Sequence, residues 1–315
     1  MAGSQGNATQ DSEQSTVNRY LRWFVSFLIA LPFGLFIAFP TLWRCLSIRR
    51  SADFTAVQAQ QRTVYVSNAM TPRQREVLLS HLQIATGRIR QFWGNSEGRA
   101  VLIYCPTQEQ YAHYCSGGEG AGCSLGLPWG DSFLVLGPEG NSPDVMAHEL
   151  CHDELFARLG WLTIKRQVPQ WFNEGLALMV DYRFTSATTD PSVRFLEYDA
   201  EWNYRVRGAG GLSPQFVPEL ASLETTRDFF YGNYGRVMLA YLTAGREVSR
   251  WLATTGPLAL PRLVQALRAG KSFDEAYKRH KSGRVVSQAG APRTGQMTKE
   301  TALLTTYVLT LPSHR

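Results

Sequence analysis

Histidine and charge are both scarce in this chain. There are six His in 315 residues, and Asp, Glu, Lys and Arg together make up 18 %. With so few histidines, two that fall at ligand spacing are hard to attribute to chance. No dense Lys/Arg run with interleaved aromatics occurs, so no nucleic-acid partner is expected in spite of a net charge of +6. A mildly basic surface suits anionic lipid headgroups instead. No internal repeat stands out at solenoid periods, which excludes a stacked-repeat architecture. The length allows one sizeable domain plus extensions.

Charge is absent altogether from Trp23 to Trp43, a run of 21 residues. As a helix that length crosses the hydrocarbon core, with Trp23 and Trp43 placed at the two interfaces. Pro32, Gly34 and Pro40 are poor choices for a soluble helix but are tolerated in lipid. The run is too long for a signal peptide, and no A-x-A-like cleavage site follows it. The sequence therefore predicts a polar, disordered tail over 1–18, one transmembrane anchor over 19–44, a globular domain over 51–281, and a Gly/Ser/Arg-rich linker and tail over 282–315. Arg19 and Arg22 before the span nearly balance Arg44, Arg49 and Arg50 after it, so charge alone does not set orientation. Cys115 and Cys123 bracket a glycine-rich loop that a disulfide would close in an oxidising compartment, while free thiols would suit the cytosol. Cys151 reads as core filler.

The most informative stretch is His148-Glu149-Leu150-Cys151-His152. Two His four apart on a helix project from one face, so both imidazoles can reach one Zn²⁺. Glu149 lies beside them, where a carboxylate can take a proton from water activated by the metal. Catalytic zinc keeps three protein ligands and one open position, and Glu174 is the candidate third. It follows His152 by 22 positions, room to end one helix, cross a loop and begin an antiparallel second one. Val168-Pro169 sets that helix start, and Gly175 allows close helix approach beside the ligand.

H-E-L-C-H followed by P-x-W-F-N-E-G-L-A resembles the gluzincin clan of zinc metallopeptidases, and is most similar to peptidase-MA-like bacterial membrane proteins. The resemblance covers roughly Thr63 to Arg279, with its specific core between Asp144 and Asp181. It implies an α+β, zincin-like domain: a small mixed sheet with an active-site edge strand packed on the motif helix, then a helical C-terminal part. It also implies one zinc held by His148, His152 and Glu174, Glu149 as general base, and a tyrosine that stabilises the oxyanion. Tyr231 and Tyr234 both compete for that last role. The activity implied is hydrolysis of a protein or peptide substrate, and the lack of an obvious acidic site for a free amino terminus outside the ligand motifs points to an endopeptidase. With the single span, the implied bacterial setting is the inner membrane, and the Cys115/Cys123 spacing places the domain in the periplasm. One departure stands out: thermolysin-like members carry an Asp four residues after the ligand Glu, and here that position is Leu178. Support for the ligand His must then come from Asp181, Asn173 or a backbone carbonyl. The alternative function is an inactive module of the same fold that binds peptides or an envelope protein.

Elsewhere, 63–66, 99–104 and 131–136 read as strands; the resemblance implies that the last is the sheet edge along the cleft, where an extended peptide could pair by β-augmentation. Thr71-Pro72 and Ser142-Pro143-Asp144 read as helix starts, stopped at Gly94 and Gly160. The second ligand helix is expected over 170–181. The stretch 183–227 reads as long loops, and helices are expected from Tyr234 onward, near 261–269, and near 272–281. His81 and His113 read as surface or packing residues.

Overall fold

Val101–Tyr104 and Ser132–Leu136 are short, almost wholly apolar runs, the composition of strands covered on both faces. In the computed structural model, which describes residues 19–27, 34, 39–115, 120–207 and 217–278, they lie inside a mixed five-stranded sheet. The strands are β1 (Phe54–Ala59), β2 (Arg62–Ser67), β3 (Val101–Tyr104), β4 (Gly122–Gly126) and β5 (Ser132–Leu136), in the order β1-β2-β3-β5-β4. β2, β3 and β5 run parallel, and the two outer strands pair antiparallel. The β1–β2 hairpin, whose first strand the sequence reading missed, turns on Gln60 and Gln61, both with positive φ, as a two-residue hairpin turn of the primed class requires.

Alternation along the strands divides the core. Leu102, Tyr104, Leu134 and Leu136 face the main cluster, whereas Ile103, Phe133 and Val135 face a second one. The main side is covered by α2 (Pro72–Trp93) and α4 (Pro143–Leu159). The second side holds α1 (Pro40–Ser47) and α3 (Gln108–Tyr114). Cys45 and Ile48 are buried among Phe54, Tyr114, Leu127 and Phe133, so packed structure extends ahead of residue 51.

The helix starts follow their predicted chemistry. Thr71 and Gln74 form a reciprocal capping box on α2, and the Ser142 side chain accepts from Val145 N on α4. Gly94 and Gly160 end these helices with positive φ. The C-terminal part comprises α5 (Trp161–Gln167), α6 (Gln170–Ala177), α7 (Pro191–Val206), α8 (Thr226–Phe230), α9 (Tyr234–Thr255), α10 (Ala259–Arg268) and α11 (Phe273–Lys278). α9 packs on both α6 and α7. A Cβ on Gly175 would lie 2.6 Å from Ala244 O, so only glycine permits this approach of α6 to α9.

The protein is thus α+β with a mixed sheet, and three details differ from expectation. β5 is an interior strand, and the edge beside the motif helix is β4, built from the glycine-rich stretch read as loop. α6 stops at Ala177 instead of 181. A 16-residue helix, α7, occupies part of the expected loop region. Residues 19–27 are helical, but 28–33 and 35–38 of the expected anchor lie outside the described residues. Among the described residues no helix is long and apolar enough to cross a membrane. The expected tail 1–18 and linker 282–315 also lie outside the described residues.

Candidate metal centre

α4 carries His148 and His152 one turn apart, and α6 brings Glu174 against them. Their ligand atoms all lie within 4.8 Å of one another. His148 Nε2 is 3.2 Å from Glu174 Oε2, and His152 Nε2 is 3.7 Å from Glu174 Oε1. Metal bonds of the length zinc prefers span a tetrahedron with edges of about 3.3 Å, so this spacing fits a small tetrahedral ion. The donor set, two imidazoles and a carboxylate, could hold a metal ion with a position left over.

Each imidazole is oriented from behind. His148 Nδ1 stands 3.2 Å from Asp181 Oδ2, and His152 Nδ1 stands 3.0 Å from Asn173 Oδ1. Because a carboxylate and an amide oxygen only accept, each Nδ1 must donate, which turns each Nε2 towards the cluster. Both partners were among the expected possibilities. Asp181 reaches His148 because the chain leaves α6 at Leu178 and turns. Buried Arg194 fixes that turn by donating to the carbonyls of Leu178, Asp181 and Thr188. Arg183 holds the Asp181 carboxylate from outside through Nε at 3.0 Å and Nη2 at 2.6 Å.

The electrostatics follow from this enclosure. Burial alone would push the His148 imidazolium pKa down, but the bonds and charges of Asp181 and Glu174 outweigh it and hold it up, at about 10. Burial opposes ionisation of Asp181 as well, yet His148 and Arg183 hold its carboxyl far below the usual range. Glu174 is lowered against its burial by the two histidines.

Glu149 points to the sheet edge. Ser124, on β4, donates to its Oε2 at 2.6 Å. A Cβ on Gly122 would lie 2.9 Å from Glu149 Cγ, so the edge strand passes directly over this carboxylate and glycine makes room for it. Tyr231 and Tyr234 are 69 % and 63 % exposed around the start of α9. A tyrosine ring does pack on His148, that of Tyr241, about two turns into α9, with ring centroids 6.2 Å apart. Burial, together with the charges of Glu174 and Glu149, raises the Tyr241 hydroxyl pKa well above the ordinary phenol value, so it remains a donor.

Sequence reasoning missed Ser124, Gln170, Arg183 and Tyr241. Gln170 was open to discovery, since it stands four residues before Glu174 on one helix face; Tyr241 was hidden in an apolar stripe. His81 pairs with Asn141, and His113 packs on Tyr114, both away from the cluster as expected. Cys115 and Cys123 form a disulfide, which ties the end of α3 to β4, whereas Cys45, Cys105 and Cys151 are buried free thiols. No protein-family model matches the chain, and no curated protein matches it either.

Proposed function

We propose that the protein is a membrane-anchored zinc metallopeptidase of the gluzincin type, with a zincin-like domain that hydrolyses peptide bonds. The observation that carries this reading is the convergence of His148, His152 and Glu174, with the Glu149 carboxylate held against the neighbouring strand by Ser124. Zinc, when bound, supplies a Lewis acid that acidifies water and polarises a carbonyl. The remaining work falls to the chain. Glu149 accepts a proton from the attacking water and passes it to the leaving amine. Tyr241, kept protonated, donates to the carbonyl oxygen as charge builds on it, the role the resemblance gave to Tyr231 or Tyr234. The β4 edge offers backbone groups to an extended peptide running past Glu149, which suits an endopeptidase.

The Cys115–Cys123 disulfide suits an oxidising compartment, and so a periplasmic domain on a single-pass protein of the bacterial inner membrane. Helical residues 19–27 leave Tyr20, Leu21, Trp23, Phe24 and Phe27 exposed, an apolar surface that a lipid phase would cover. An inactive peptide-binding module gives Glu149 no task, and structural zinc prefers four closed, cysteine-rich ligands. Digestion of a peptide library by the wild type and by Glu149→Gln tests the proposal. Cleavage by the wild type, lost in the variant while zinc is retained, is expected. Cleavage that survives the substitution would remove Glu149 from the chemistry.

A further inference from the structure

Gln170 is the first residue of α6 and stands four ahead of Glu174, on the same helix face. Its Nε2 donates to Glu174 Oε1 at 2.7 Å, and its Oε1 accepts from the Thr226 hydroxyl of α8 at 3.0 Å. The two bonds fix the amide's orientation, because the flipped amide would set an oxygen against a carboxylate. Main-chain bonds place Thr226: Gln170 N donates to Glu224 O, and Trp171 N to Leu223 O, joining the approach to α8 to the first turn of α6. The two oxygens of buried Glu174 are therefore unequal. Oε1 is engaged by Gln170, while Oε2 faces His148 Nε2.

We propose that Gln170, itself oriented by Thr226, is a positioning residue that makes Glu174 a one-oxygen metal ligand. The inference rests on the proposed metal site. A carboxylate with both oxygens free can chelate, which fills an extra coordination position and suits larger, oxygen-preferring ions. With Oε1 held, binding falls to Oε2 and a position stays open on a small tetrahedral ion. The same bond sets the carboxylate's rotation about its stem, with Oε2 turned to His148 Nε2 at 3.2 Å and Oε1, held by Gln170, 3.7 Å from His152 Nε2. α8, which also carries the aromatic residues packed on Tyr241, is thus coupled to the ligand through one amide.

The test uses the full-length protein in detergent, comparing wild type with Gln170→Ala, Gln170→Met and Thr226→Val. Zinc affinity is read by competition with a chelator, and coordination by X-ray absorption at the zinc edge. Both Gln170 variants are expected to bind zinc roughly tenfold more weakly, the effect typical of losing a ligand's hydrogen-bond partner. Their spectra should shift from about four towards about five nitrogen and oxygen neighbours. Thr226→Val should move both readouts in the same direction by less. Gln170→Met preserves side-chain bulk, so it separates the lost hydrogen bond from lost packing if the alanine variant folds poorly. Wild-type affinity and an unchanged spectrum in Gln170→Met would overturn the inference while leaving the metal site standing. A wild type that takes up no zinc would overturn both.

Discussion

If zinc occupies the proposed site, the bond between His148 and Asp181 makes its binding a competition with a proton, and Asp181→Asn isolates it. In the metal-free protein the His148 pKa lies at about 10, so at neutral pH the ring carries a proton that an incoming metal must displace. Below that pKa, each unit of pH removes a factor of about ten from the proton's competition, so zinc affinity should rise by about two decades from pH 7 to pH 9. Each decade corresponds to about 1.4 kcal/mol. Asp181→Asn keeps the shape but removes the charge, leaving Glu174 as the only carboxylate on the ring. Two effects then act together. The His148 pKa falls, which relieves proton competition and flattens the pH dependence to under about one decade across the same window. The neutral partner also makes Nε2 a poorer donor to the metal, which costs a factor of about 10 to 100 in affinity where protons no longer compete. The variant should therefore be clearly weaker at pH 9 and close the gap on the wild type towards pH 7. Chelator competition at fixed free zinc measures the slopes, and calorimetry in two buffers counts the proton released. Parallel slopes in the two proteins would refute the account of His148.

Three other substitutions probe separate parts of the structure. Tyr241→Phe should lower kcat by about 10² to 10³ with little change in KM, as loss of one oxyanion donor does, while Tyr231→Phe and Tyr234→Phe stay near wild type in steady-state peptide cleavage. Gly175→Ala places a methyl 2.6 Å from the Ala244 carbonyl; it should destabilise the fold by about 1–3 kcal/mol in urea unfolding and loosen zinc by shifting Glu174. Asp153→Ala strips the buried partner of Arg62 and also the acceptor for Ala100 N and the Ser132 hydroxyl; a loss of about 3–5 kcal/mol is expected in the same assay.

The candidate metal ligands were legible because helical periodicity alone puts His148 and His152 on one face, and because Val168-Pro169 marks the start of the helix that carries Glu174. What escaped the sequence reading escaped for physical reasons. β4 reads as Gly-Cys-Ser-Leu-Gly, a composition that argues against a strand. Its glycines are there because Glu149 and Phe156 press against the backbone, a tertiary demand that local propensity does not show. α7 turns its polar Arg194 and Tyr198 inward and leaves Val193 and Leu196 exposed, so its pattern is inverted relative to an ordinary amphipathic helix. Tyr241 lies among apolar residues that look like core, and only the packing of α9 on α6 turns its ring towards His148. The Asp that a thermolysin-like spacing would supply is supplied seven residues after Glu174 by a turn, which Arg194 holds from a helix that was itself hidden.

The central claim is that His148, His152 and Glu174 hold one zinc. Because α1 and the turn after it are packed into the domain through Cys45 and Ile48, the full chain purified in detergent is the right sample. Its zinc content after removal of loosely held metal, compared with that of Glu174→Ala, tests the claim most directly. The account predicts about one zinc per chain in the wild type and a sharp fall in the variant. A well-folded wild type without metal, or a variant that keeps the full amount, would contradict it.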